Sequence, residues 1–251
     1  MGKGSRRIEL APLYVLHHRP WRDTSRMLDV FTRDHGRLML FARGVRGPKS
    51  RTASLLQPFR LLLASWSASG EAGQLTQVEA AVAGEVLSLP ASTLLSAWYL
   101  NELVLKLTVR NDPQPLVFDL YHATLDRLRE GAAVTAVLRT FERQLLELLG
   151  YGVEFRFDAR EGQALRADVR YHFHPDLGFV EVSGQAPAAA FSGRDLLAIA
   201  DDEYADPAVL ETARQVLRVA LDRALEGREL NTRAVARSVV RRRRDRESST
   251  S

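Results

Sequence analysis

The sequence predicts an α+β chain of more than one domain: a small β-barrel at the N-terminus, then a helical region carrying an inserted β-hairpin. Three observations lead there. The first 82 residues hold short, apolar-alternating runs broken by Pro20, Gly36, Gly44, Gly47, Pro48, Gly70 and Gly73, with no 3.6-residue period sustained beyond a turn or two. From Ser92 the period changes, and Leu94, Leu95, Trp98, Leu103 and Leu107 recur as they would on a helix. Between 153 and 182 that period lapses into RYHFHPDLGFV, two alternating halves around a Pro-Asp-Leu-Gly turn.

In chain order, strands are expected over 13–18, 25–31, 37–42, 59–66 and 74–81. Five strands in about 80 residues suit a small barrel, and pattern alone fits an OB-type or an SH3-like barrel. Phe31, Phe41 and Phe59 sit in apolar alternation and are expected inside it. A boundary near 83–91 leads to helices over 92–110, 115–130 and 132–149, the last capped by Gly150. After the hairpin, Ser192 with Asp195 three positions on resembles a capping box. Asp206 followed by Pro207 marks another helix start, which Gly227 should end. Thr232 could open a final helix running into Arg241–Arg244. The polar end has nothing apolar to pack, so a disordered tail is expected. The domain reading is therefore 1–82 as barrel, 83–236 as helical domain with its hairpin at about 153–182, and 237–251 as basic tail.

Composition narrows the function. The 251 residues contain no cysteine, which removes disulfides, thiolate metal sites and a cysteine nucleophile. The start MGKGSRRIEL has no apolar run that would make a signal peptide, so a cytoplasmic protein is expected. The net charge of +4 is unevenly spread: residues 1–60 carry 13 basic and 4 acidic groups and 237–251 carry 6 and 2, whereas the middle is acidic. Eleven of those 13 are arginine, whose planar fork binds phosphate bidentately. A polyanion is the natural partner, the plainer alternative being a solvated, salt-bridged face. Nucleic acid is favoured over membrane because no strongly amphipathic basic helix accompanies the charge.

Catalytic patterns fail on spacing. GVRGPKS departs from a Walker loop, because Pro48 follows Gly47 and position 42 is alanine. As a basic turn, Arg43, Arg46, Lys49 and Arg51 can instead offer cations to a phosphodiester chain. Trp21, between Pro20 and Arg22 in a turn, is the best candidate for stacking on a base. His172 and His174 share a strand face, as a metal pair would, but without an evident third ligand; a metal hydrolase using them is the third reading. On the helices, Arg139 and Arg143 flank Phe141, with Lys106 and Arg110 on the first helix. Such cations beside an apolar groove could grip an acidic peptide, or pair with Glu142 and Glu147 on a wet face.

The segments VLHHRPWRDTSRMLDVFTRDHGRLMLFARGVRGPKS, LLQPF, YLNELVLKL and LRTFERQLLELLGYGVEF resemble, in order, those of bacterial RecO, the recombination-mediator family. FSGRDLLAI and LNTR continue the likeness. The resemblance implies an OB domain, a helical domain, and a non-enzymatic role in DNA repair and recombination without a cofactor. It further implies binding of single- and double-stranded DNA, strand annealing, and association with the nucleoid. Its implied partners are the acidic C-terminal tail of single-stranded DNA-binding protein, RecR, and indirectly RecA. By position, Arg37, Arg43, Arg46, Lys49 and Arg51 match the family's basic OB surface, and Arg139 the region that takes the acidic tail; Trp21 and Arg22 beside the first, and Arg143 and Lys106 beside the second, are candidates from the residue pattern alone. Many members carry a four-cysteine zinc module after GYG, where this chain has FDAREGQALRADVRYHFHPDLGF, so no zinc is expected. An RNA-binding or ribosome-associated barrel is the alternative.

Overall fold

A computed structural model of the chain describes residues 6–45, 47, 50–69, 72–82, 89–183 and 190–248. They form two compact units, Met1–Glu130 with Leu230–Ser251, and Gly131–Glu229.

In the first unit, β1 (Arg6–Trp21), β2 (Ser25–Thr32), β3 (Gly36–Ala42), β4 (Leu62–Ser69) and β5 (Ala72–Ala80) close into a barrel in the order β1-β2-β3-β5-β4. β3 and β5 run parallel and the other neighbours antiparallel. This order, with the short helix α1 (Arg51–Leu55) between β3 and β4, is the OB arrangement and decides against an SH3-like barrel. Ser50 caps α1 by accepting from the Ala53 N–H at 3.2 Å.

β1 pairs with both β2 and β4, and register shifts at Ile8/Ala11 and Val15/His17 bend it to reach both. At the first, Leu10 adopts φ +46° and its N–H donates to Ser65 Oγ at 3.0 Å. The barrel interior is Leu13, Val15, Leu28, Val30, Leu40, Ala42, Leu62, Ala64 and Trp66, all buried. The opposite faces of β1 and β2 are buried too, because α2 (Leu94–Leu107) reaches β1 through Asn101, which donates to the Leu16 carbonyl, and α3 (Pro115–Arg129) supplies aromatic partners. Tyr14 meets Phe118 at 5.5 Å and Tyr121 edge-on at 5.0 Å, and Phe31 meets Phe118 at 5.5 Å.

Those alternations correct the expected interior. Phe31 is buried against α3 and not in the barrel, and Phe59 packs edge-on against Trp98 at 5.0 Å. Phe41 is only half-buried, since its neighbours Leu40 and Ala42 take the inward positions.

Ion pairs and a close approach complete this unit. Arg33 binds Asp119 with two bonds of 2.9 Å, and Arg110 binds Asp29 at 2.8 Å. Gly36 has φ +68°, and a Cβ there would lie 2.1 Å from the Asp112 carbonyl oxygen. The last helix, α7 (Asn231–Ser248), starts where Glu102 of α2 accepts from the N–H groups of Asn231 and Thr232. It continues past residue 237, where the sequence suggests a disordered tail. No proline or glycine interrupts 231–248, and arginine is a good helix former.

The second unit contains α4 (Val134–Leu148), α5 (Gly193–Ala200), α6 (Pro207–Ala224) and a sheet β7-β6-β8, from β6 (Arg170–His174), β7 (Gly178–Glu181) and β8 (Phe191–Ser192). Phe141, Leu145, Phe179, Leu196, Ile199, Val216 and Leu217 are among its buried core. Gly150 follows α4 with φ +81°, as expected of a C-terminal cap. Asp206 caps α6 through Ala208 N at 2.8 Å, with Pro207 in the first turn. The capping box at α5 does not form. Ser192 makes no side-chain cap, and Asp195 instead accepts from Thr212 Oγ1 at 3.2 Å.

The hairpin spans 170–181 only. Ahead of it, Asp158 gathers a loop by accepting from the N–H groups of Arg160, Glu161 and Gln163 at 2.8–2.9 Å. These bonds, that from Glu161 foremost, hold the Asp158 carboxyl below its usual range.

Candidate nucleic-acid interface

One end of the β1-β2-β3 face gathers cations beside the exposed Trp21 and the half-buried Phe41. Register sets Arg19, Met27 and Phe41 side by side across the three strands, and the next row is Pro20, Arg26 and Ala42. Trp21, opposite Ser25 at the close of β1, is 40% exposed, and its ring lies 5.4 Å from that of Phe41. Arg19 rests on this platform, Nε and Nη2 lying 3.2 and 2.9 Å from Met27 Sδ.

Arg22 follows in the turn, exposed and with φ +50°. Arg43, just past β3, is exposed and forms no ion pair among the described residues. Arg26 Nη1 is buried and has no hydrogen-bond partner among the described residues. His18 is held below the usual histidine range, first by burial and then by the charges of Arg26 and His17. The rim is thus biased toward anions. Of the nearby acids, Asp29 is taken by Arg110 and Asp23 lies exposed in the turn.

Of the DNA-binding residues expected from sequence, Trp21, Arg22 and Arg43 meet at this end. Arg37 does not join them as a free cation, because its Nε and Nη2 donate to Thr108 Oγ1 and the Thr108 carbonyl at 3.3 and 2.9 Å. Arg46, Lys49 and the side chain of Arg51 lie outside the described residues. Arg19 and Phe41 join the site without a sequence signal of their own, although the inward positions of Leu40 and Ala42 imply that Phe41 faces out; Arg26, in register with the inward Ala42, starts from the other face of the sheet.

The cations considered for an acidic peptide are engaged within the chain. Lys106 lies 3.3 Å from Glu102. Arg139, 12% exposed, binds Glu142, itself 1% exposed, at 2.8 Å. Arg143 clamps Asp202 with bonds of 3.0 and 2.6 Å and lies 3.3 Å from Glu147. The Glu142 and Glu147 pairings suggested by the sequence therefore occur, but Arg139 and Glu142 meet inside the unit and not on a wet face. Burial pushes the Asp202 carboxyl up, yet Arg143, Gln144 and Tyr204 together outweigh it and hold the group below its usual range. His172 and His174 lie ring to ring at 4.6 Å, and the described residues contain no group of three or more metal-ligating side chains that would supply a third ligand.

An OB barrel whose β1-β2-β3 face carries arginines beside a tilted Trp–Phe pair belongs to a class in which that side and the adjoining loops take oligonucleotides. Residues 10–83 match the family model described as Recombination protein O N terminal, and 91–234 match Recombination protein O C terminal. The chain belongs to the RecO family of DNA repair proteins. The DNA repair protein RecO of Azoarcus sp. (strain BH72) is 38% identical over 238 residues, covering 93% of this chain and 97% of that protein. That of Burkholderia lata is 40% identical over 232 residues, 91% and 82% of the two chains. That of Cupriavidus metallidurans is 38% identical over 224 residues, 88% and 74%.

Proposed function

We propose that the chain is a non-enzymatic recombination mediator that binds single- and double-stranded DNA, anneals complementary strands, and helps load RecA onto DNA coated by single-stranded DNA-binding protein. The observation that carries the reading is the Trp21–Phe41 pair, with Arg19 in the same strand row as Phe41 and Arg22 and Arg43 adjoining the pair along the chain. Each ring stacked on a base is worth about 1–3 kcal/mol, and each neutralised phosphate releases counterions. Neutralising phosphates also lowers the repulsion between two strands, the main electrostatic barrier to annealing. Arg46, Lys49 and Arg51 extend the same basic loop in sequence and are assigned to it.

The acidic tail of single-stranded DNA-binding protein is assigned to the region of Arg139 and Arg143, and RecR to a further contact, on the strength of the family resemblance. An acidic tail would compete with Glu142 and Asp202 for those guanidinium groups.

The test replaces Arg22 and Arg43 with glutamate and Trp21 with alanine in the full chain. Gel-shift affinity for a single strand should fall at least tenfold with the melting curve unchanged. Unaltered affinity would remove this face from the site. Competition between matched DNA and RNA oligonucleotides separates the DNA reading from an RNA-binding barrel, and preference for RNA would favour the latter.

A further inference from the structure

Glu102 lies on α2 with a side chain only 10% exposed, yet its carboxylate is directed at another element. It accepts from Asn231 N at 2.8 Å, Thr232 N at 2.9 Å and Thr232 Oγ1 at 2.6 Å, with Lys106 Nζ at 3.3 Å. A carboxylate here satisfies the orphan donors of the first turn of α7 and favours its dipole. The start of α7 is thereby fixed to the unit that contains the barrel.

Beyond that first turn, α7 has an unusual composition for a helix. Its 18 residues hold seven arginines against Asp245 and Glu247. Ala234, Val235, Arg237, Ser238 and Val239 are exposed, while Thr232, Arg233 and Ala236 are half-buried. Arg233, Arg237 and Arg241 succeed one another at four-residue spacing, and Arg241–Arg244 occupy successive positions. Like charges four apart oppose a helix, and the exposed residues among 234–239 gain little from packing. A polyanion along it relieves that repulsion.

We propose that α7 is a second nucleic-acid-binding element, which takes the phosphate backbone of DNA while the barrel face holds another strand. Arginine at this density suits a phosphate polymer. The family match ends at residue 234, so the run 237–246 lies beyond the portion it describes. One anchored helix and one barrel face in a single unit would hold two strands together and raise their effective concentration, which is what annealing needs. The inference rests on the DNA reading of the barrel for its first strand.

The experiment uses the full chain with Arg241, Arg242, Arg243 and Arg244 all changed to Gln, which keeps helix propensity and removes charge. An 8-nucleotide strand, short enough to report on an OB site alone, should bind within threefold of the parent. Affinity for a 30-base-pair duplex and the annealing rate of complementary 30-mers should each drop at least tenfold, and the duplex salt slope should fall by up to about 3.6, four phosphate contacts at about 0.9 each. Arg→Lys changes at the same four positions should restore duplex binding, which guards against a folding defect. Parental duplex affinity and annealing in the Gln variant would overturn the proposal. So would displacement of the duplex by poly-glutamate at equal charge, which would assign α7 to an acidic protein, or a clear preference for RNA. If Trp21→Ala with Arg43→Glu leaves 8-mer binding intact while the Gln variant loses the duplex, the barrel reading fails and the helix site stands.

Discussion

The Tyr121 hydroxyl donates to Asn101 Oδ1 at 2.5 Å, with both residues sealed from solvent at 0% and 1% exposure. Asn101 Nδ2 in turn donates to the Leu16 carbonyl at 2.9 Å, so a chain of two bonds runs from α3 through α2 to β1. Burial, with Tyr14 adding to it, pushes the Tyr121 hydroxyl far above its usual range and keeps it protonated as the donor. Tyr121→Phe should leave Asn101 with an unmet buried acceptor and cost about 1–3 kcal/mol. Urea unfolding followed by intrinsic fluorescence measures this, and an unchanged midpoint would show that the bond contributes nothing.

Gly36 should tolerate no side chain. Its φ of +68° disfavours any L-residue, and the Asp112 backbone occupies the space of a Cβ. Gly36→Ala should therefore destabilise the first unit more than Gly44→Ala. Gly44 also has positive φ, but nothing lies within 4 Å of its added Cβ. Paired thermal melts of the two variants compare strain alone with strain plus collision.

The Glu102 cap should fail in acid. Burial raises its pKa, but the donors Thr232, Asn231 and Lys106 together outweigh burial and leave it below the ordinary glutamate value. A depressed carboxyl contributes stability that is present above its unfolded pKa, about 4.3, and lost as pH falls through the lower folded value. Below about pH 4 the start of α7 should loosen, seen as earlier amide exchange at Asn231 and Thr232. Glu102→Gln should show that exchange already at neutral pH.

Arg143→Ala should weaken the second unit. It strips Asp202 of its bidentate partner while leaving Gln144 at 3.1 Å and Tyr204 at 3.3 Å. A partly buried carboxylate so stranded costs about 3 kcal/mol, and the loss should shrink as the pH is lowered and Asp202 protonates. If stability falls equally at pH 7 and pH 3, the contribution of Arg143 is packing and not charge.

Much of this fold could be read from residue patterns. Alternation and turn residues mark all five barrel strands, and the Asp206-Pro207 and Gly150 caps lie where the helix signals put them. The short helix α1 escaped because five residues hold too little periodicity. Partner choice was also hidden. Whether Arg37 faces solvent or Thr108, and whether Arg139 meets a ligand or Glu142, depends on elements brought together only by folding. Ser192 and Asp195 show the same limit, since Thr212, 17 residues further on, takes the carboxylate that a capping box would use. The cationic character of the N-terminal block was legible. Its focus at Trp21 and Phe41 needed the register of β1, β2 and β3.

The most direct test of the central claim is the salt dependence of single-strand binding for the parent chain and for Arg22→Ala with Arg43→Ala. The parent should show a steep log–log fall, and the variant's slope should be shallower by about 1.4, two phosphate contacts at about 0.7 each. Identical slopes would mean that these arginines touch no phosphate, and the Trp21–Phe41 end of the barrel would not be where the nucleic acid lies.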